Sequence, residues 1–180
     1  LSTISKKTVS TSRKAVSALN FVMTNYKDAP ALRKIKNSEI KALTYRGGKD
    51  SIIEEMIMNK YSHKQLTRFI GDGIVDTYKT NDPKKQTFWN SDVSRLSFVV
   101  RKNCDGEDMW VKDKGGIKVT NDIIDPIFVY MKRQLMDHYK AKVDDMTADN
   151  LGQITSETTT MFTLIDKIDN GSAQKEVCSY

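Results

Sequence analysis

Residues 87–119 constrain the fold of this chain more than any other segment. Val93, Leu96, Val99 and Val100 recur at helical period, while Ser91, Ser94, Arg95, Phe98, Arg101 and Lys102 share the opposite face. The spacing predicts a helix over 91–102 with an apolar inner face and a basic outer one. The Phe98-Val99-Val100 run carries the competing preference for strand. A loop follows at Asn103–Asp108, containing Asp105-Gly106. Two short runs, Met109–Lys112 and Ile117–Val119, then flank the turn residues Asp113-Lys114-Gly115-Gly116, a hairpin pattern. A basic helix leading into a lysine-bearing hairpin is the order in which a winged-helix module meets DNA.

The rest of the chain reads as helices. Val16, Leu19, Val22 or Met23, and Tyr26 predict one over 11–26, ended before Pro30. Ser38 opens a short helix to Arg46, stopped by Gly47-Gly48. Ser51–Glu54 and Ser62–Gln65 read as capping boxes for two further helices, the second carrying Leu66, Phe69, Ile70, Ile74 and Tyr78. Gly71 and Gly73 interrupt that second pattern, and each costs roughly 1 kcal/mol against alanine. Close packing against a neighbouring helix is their expected reason. A long helix follows from about Asn121 or Asp125 to Val143, and Asp125-Pro126 suggests the later start. The last helix, 148–169, places Leu151, Ile154, Thr158, Met161, Ile165 and Ile168 at alternating spacings of three and four, which is a heptad seam. Packing on its own domain and a homodimer seam are its two readings.

The expected architecture is mainly α (α+β): a helical domain with one β-hairpin, a winged-helix-like core and a C-terminal packing helix. Its expected parts are a basic N-terminal segment 1–61, the core 62–143, and an acidic helix and tail 144–180.

Charge bears on partners. The net charge is +6, but residues 1–49 hold 11 Lys+Arg against 2 Asp+Glu, and residues 144–180 hold 2 against 7. A basic front favours a polyanion. Ser94, Arg95, Arg101 and Lys102 on the helix, with Lys112, Lys114 and Lys118 on the hairpin, are the candidate contacts to nucleic acid, double-stranded DNA first. Trp89 and Trp110 read as core. Phe98 packs under the wing or stacks on a base.

Reactive chemistry is weakly marked. Asp72 and Asp76 lie four apart on one helical face, a spacing compatible with a metal-dependent nuclease, although a solvated acidic face is the plainer reading. Gly47–Ser51 lacks the spacing of a phosphate loop. The two histidines, His63 and His138, and the two cysteines, Cys104 and Cys178, stand far apart, so no metal site or cofactor is expected, and the thiols read as free in a reducing compartment. His63 is expected at the surface. No apolar run is long enough to span a bilayer and no signal peptide opens the chain. Leu1 in place of Met suggests a segment of a longer protein.

The composite of Phe69-Ile70-Gly71-Asp72, Asp82-Pro83-Lys84-Lys85-Gln86, Trp89-Asn90-Ser91-Asp92 and Ser94-Arg95-Leu96 resembles a domain of uncharacterised proteins of giant viruses, the nucleocytoplasmic large DNA viruses. Trp110-Val111, Asp113-Lys114, Gly116-Ile117-Lys118, Ile124, Pro126 and Asn25–Leu32 extend the likeness, which spans about two thirds of the chain. In that family the domain often follows zinc-finger-like segments. The resemblance implies a viral protein made in the host cytoplasm, in the viral factory, or packaged in the virion. It implies no reaction. The function expected is a non-enzymatic DNA-binding module. The alternatives are a scaffolding domain that uses the heptad helix and, third, the nuclease.

Overall fold

The computed structural model describes residues 17–44, 53–92, 95–144, 146–147 and 149–180. Helix α1 covers 17–25, followed by α2 (Asn37–Thr44), α3 (Ile53–Ser62) and α4 (Leu66–Tyr78). Strands β1 (Phe88–Asp92), β2 (Ser97–Cys104) and β3 (Glu107–Asp113) come next. A short α5 (Ile117–Val119) and a π-helical turn (Thr120–Ile124) lead into α6 (Asp125–Asp144), α7 (Leu151–Asp169) and α8 (Ser172–Cys178). The chain is mainly helical with one three-stranded antiparallel sheet, an α+β architecture. The predicted Gly47-Gly48 stop, the Ser51–Glu54 capping box and the first turn of the helix at 11–26 fall on or reach into residues outside those described.

Two compact units divide the chain. Among the described residues, unit 1 takes 17–34, 78–122 and Ser179, and unit 2 takes 35–77, 123–178 and Tyr180. The sequential boundaries expected at 61/62 and 143/144 are therefore replaced by crossings at 34/35, 77/78 and 122/123. The physical reason lies in the sheet, which takes its cover from a helix far upstream in sequence.

In unit 1 the strands pair in the order β1-β2-β3. Phe88 lies opposite Val100 and Trp89 opposite Val99, while Val100 faces Val111 and Arg101 faces Trp110. Side chains alternate across a strand, so Trp89, Val99, Arg101, Trp110 and Lys112 share one face. Phe88, Phe98, Val100, Lys102 and Met109 share the other. Val22 and Ala29 close over the first face and form a core with Val99 and Trp110. Tyr26 stacks on Trp89 at 5.8 Å, and its carbonyl accepts from Trp110 Nε1 at 2.8 Å. On the second face Phe88 meets Tyr78 and Phe98 edge-on.

The helix predicted over 91–102 is thus a correction: the described part of that stretch is strand on both sides of a bend. Ser97, Phe98, Val99 and Val100 are all buried, four consecutive positions. A helix buries one stripe, whereas a strand covered on both faces buries every residue. The hairpin also sits one connection earlier than expected. Asp105 and Gly106 take φ of +53° and +93°, the left-handed pair of a tight two-residue hairpin, and join β2 to β3. Ile117–Val119 is helix rather than strand. Gly115 and Gly116 turn the chain at φ +76° and +63°, and the buried Asp113 carboxylate accepts from the amides of Lys118 and Val119 at 3.0–3.1 Å. Those bonds cap the helix. With β2 in place of the helix expected over 91–102 and the wing displaced, the helix–wing order read from the sequence is not what these described residues form.

Unit 2 is helical. Ile40, Ile57, Ile70, Ile127, Phe128 and Leu135 lie fully buried at its centre. Ser62 ends α3 instead of capping α4, and Lys64 at φ +57° makes the turn between them. Helix α8, which no periodicity announced, follows Gly171 at φ +77°. Helix α7 packs on α3, α6 and α8. Ile154, Met161, Ile165 and Ile168 of the heptad seam are consequently core residues of this unit, Thr158 is half-buried, and Leu151 alone stays exposed. The seam read as a dimer interface is used up internally.

The glycines of α4 are explained by close approach, though unequally. A Cβ on Gly73 would stand 2.5 Å from the buried side chain of Leu43, and one on Gly71 would meet the exposed Tyr180 ring at 2.1 Å. Tyr180 can swing aside and Leu43 cannot. Gly73→Ala is expected to destabilise by about 1–3 kcal/mol through overpacking. Gly71→Ala is expected within about 1 kcal/mol of neutral, since helix propensity offsets the displaced ring. Chemical denaturation of both variants checks the contrast.

Candidate nucleic-acid interface

The predicted contact residues do not share a surface. Ser94 lies outside the described residues. Arg95 is exposed and stands 4.0 Å from Asp92. Lys118 is tied to Asp122 at 2.5 Å. Arg101 is a structural residue: its Nε donates to the Ala29 carbonyl at 3.1 Å, and its backbone bonds both Thr87 and Leu32. Lys102 and Lys112 point to opposite faces of the sheet. Lys114 is exposed past the end of β3. Ser97 opens β2 and Lys102 lies toward its far end, about 17 Å away by strand rise. Arg95 and Lys114 lie toward the Ser97 end, so they are remote from Lys102.

A different basic cluster is built where three segments of unit 1 meet. The Leu32 amide donates to the Arg101 carbonyl at 2.7 Å, while the Arg101 amide donates to Thr87 at 2.8 Å. Residues 32–34 therefore continue the edge of the sheet beyond the start of β1. Tyr78 fastens them: its hydroxyl donates to the Arg33 carbonyl at 3.3 Å, and the Arg33 guanidinium lies 5.8 Å from its ring centroid. The connection from Tyr78 to Phe88 closes on itself, because the two rings meet at 5.7 Å. Inside it Asp82 accepts from the Lys84 amide at 3.0 Å and caps the 3₁₀ turn Pro83–Lys85. Gln86 ties Thr80 to Phe88 through its side-chain amide. The braced connection carries Lys79, Lys84 and Lys85, all exposed, and Tyr78 at its start ties it to the segment of the exposed Arg33 and Lys34. Lys102, half-buried, rises from the sheet face that carries Phe88 and Val100.

Periodicity could not have found this cluster, since its members belong to two loops and a strand end. The one local signal was Asp82-Pro83-Lys84-Lys85-Gln86, a capped turn with adjacent lysines.

Electrostatically, the described residues of unit 1 carry 12 Lys+Arg against 8 Asp+Glu, a net +4, while those of unit 2 carry 11 against 13, a net −2. The tip of the β2–β3 hairpin is acidic, with Asp105, Glu107 and Asp108 exposed, and it bounds the cluster near Lys102. The sheet tryptophans are internal: Trp110 is 5% exposed and Trp89 is stacked on Tyr26. Phe98 is buried as well, so the alternative of base stacking is closed to it.

The acidic pair of α4 does not converge on a site. Asp72 accepts from the Tyr180 hydroxyl at 2.7 Å and pairs with Arg68 at 3.5 Å, and both Asp72 and Asp76 are exposed. Among the described residues no three His, Cys, Asp or Glu side chains come together to hold a metal. Cys104 and Cys178 are free thiols. No described helix is long and apolar enough to cross a membrane. A scan against protein-family models finds no match, and neither does a search of curated proteins or of solved structures.

Proposed function

We propose that unit 1 is a non-enzymatic module of a large-DNA-virus protein that binds duplex DNA through its phosphates. The observation that carries the reading is the braced cluster of Arg33, Lys34, Lys79, Lys84, Lys85 and Lys102. Cations fixed on short, tied segments lose little freedom when they meet a phosphate, and each neutralised phosphate releases counterions. Duplex is favoured over single strands because the sheet's aromatic rings are packed inward and offer no platform for bases. Among the described residues no α-helix carries these cations, so the reading is of backbone and not of sequence. The giant-virus resemblance, which includes Lys84 and Lys85, supports a role in genome organisation in the viral factory or virion.

Fluorescence anisotropy with labelled duplex and single-stranded DNA tests this. Duplex affinity in the micromolar range is expected at low salt, with log K falling by about four to five per decade of salt if some five phosphates are held. Equal affinity for both strand forms, or none at low salt, overturns it.

A second reading rests on one observation. Val143, Met146, Leu151 and Phe162 stay exposed around a groove between α6 and α7. A protein-binding scaffold would use that strip, which Leu151 of the heptad seam helps to form.

A further inference from the structure

The two histidines of the chain, 75 residues apart in sequence, line the same trough of unit 2. The trough has a volume of about 570 Å³ and runs between α3, α6 and α7. That is the size range of small-ligand sites. Each helix contributes a stripe at i, i+3, i+4 and i+7: Glu55 to Ser62 from α3, Leu135 to Lys142 from α6, and Gln153 to Thr160 from α7. Seven residues of helix rise about 10 Å, so the trough is elongated.

Its chemistry is graded. Met58, Leu135 and Met161 supply an apolar floor, and Leu135 and Met161 are buried. Three carboxylates, Glu54, Glu55 and Glu157, stand against one ammonium, Lys142. Lys142 donates to Glu157, and with Gln153 it holds that carboxyl below the usual glutamate range. Glu157 is thereby neutralised in place. Glu54 and Glu55, in the first turn of α3, have no ion-pair partner among the described residues. The lining thus keeps a net charge of −2 with the imidazoles neutral. His63 Nδ1 is engaged by the Asn59 carbonyl at 2.9 Å.

We propose that this trough binds a linear aliphatic di- or polyamine. One ammonium donates to Glu54 and Glu55, the methylenes lie along Met58, Leu135 and Met161, and the far amine reaches the polar end near Asn59 and His63. A metal ion is a poor fit, since no three ligating side chains meet there among the described residues. An anion would face two unpaired carboxylates. The proposal is independent of DNA binding by unit 1.

Because both histidines line the trough, their imidazole NMR signals report on it selectively. Titrating the full chain with spermidine at fixed ionic strength is expected to move both signals saturably. Glu54→Gln/Glu55→Gln should weaken binding about tenfold, since it removes both carboxylates that face the ammonium from the half-buried Glu54 and the exposed Glu55. Ser156→Trp, which fills the trough with every charge intact, should also block it. Far-UV circular dichroism establishes that each variant is folded, and Glu107→Gln in unit 1 should bind like the parent. Unmoved signals overturn the proposal. So do shifts reproduced by matched magnesium chloride, retained binding in the double variant or in Ser156→Trp, or a response to a lysine-rich peptide but not to spermidine.

Discussion

Lys84→Ala/Lys85→Ala is expected to weaken duplex binding about tenfold or more at physiological salt and to lower the slope of log K against log salt by about two. Adding Lys34→Ala should take the loss of slope to about three. Folding should be unaffected within about 0.5 kcal/mol, since these side chains are exposed and the bonds that brace the loop come from Asp82, Gln86 and Tyr78. The informative comparison is Lys112→Ala/Lys114→Ala, at the other end of the sheet, which should leave the slope within about one unit of the parent. If that pair carries the salt dependence and Lys84/Lys85 does not, the interface is at the β3 end and the cluster is only a solvated loop. Asp105→Asn/Glu107→Gln should act in the opposite direction. Removing two anions beside Lys102 tightens binding without adding a contact, by about threefold at low salt and less as salt screens the field.

How far the sequence could be read depends on which force decided each element. Helices with a clear apolar stripe and a local stop were legible: α6 begins at Asp125-Pro126, and Asn170-Gly171 ends α7. Gly73 was legible as a packing glycine because little else justifies its cost inside a helix. At 97–104 the apolar positions fitted both a helical stripe and a strand covered on both faces. Tertiary burial of Ser97 through Val100 chose the strand, with the β-branched pair Val99-Val100 in its favour. Asp105-Gly106 was the overlooked sign, since that dipeptide is a strong hairpin signal and fixes where β2 and β3 must lie.

The candidate sites were less legible than the fold for the same reason. The residues singled out from 94 to 102 were grouped by an assumed helix face, and Lys112, Lys114 and Lys118 by an assumed hairpin. Once β2 is a strand, alternation sends Lys102 and Lys112 to opposite faces and assigns Arg101 to the backbone of residues 29–32. The cluster at Arg33, Lys34, Lys79, Lys84 and Lys85 depends on Tyr78 meeting both Arg33 and Phe88, contacts that span 45 and 10 residues and leave no periodic trace. The His63–His138 trough is hidden likewise. Each histidine is unremarkable where it stands, His63 in the turn after α3 and His138 on α6, and only the packing of α3 on α6 and α7 brings them to one lining.

Trp110→Ala is expected to be among the most destabilising single changes in unit 1, by about 3–5 kcal/mol. The side chain is 5% exposed, fills the space between Val22, Ala29 and Val99, and donates its indole N–H to the Tyr26 carbonyl at 2.8 Å. Truncation removes the apolar area, opens a cavity under α1 and leaves that carbonyl with only the long 3.4 Å bond from the Ala29 amide. Trp110→Phe separates the effects: it keeps most of the volume and loses the hydrogen bond, so a cost of about 1–2 kcal/mol is expected. Both tryptophans of the chain lie in unit 1, so in either variant Trp89 becomes the sole fluorescent reporter, stacked on Tyr26 in the same core. Denaturant titration followed by that fluorescence reads the loss directly. Were Trp110 a base-stacking residue and not core, Trp110→Ala would leave the midpoint unchanged and reduce single-strand affinity instead. A large shift in the midpoint for alanine, with phenylalanine between it and the parent, is the pattern that a packed indole held by one backbone carbonyl requires.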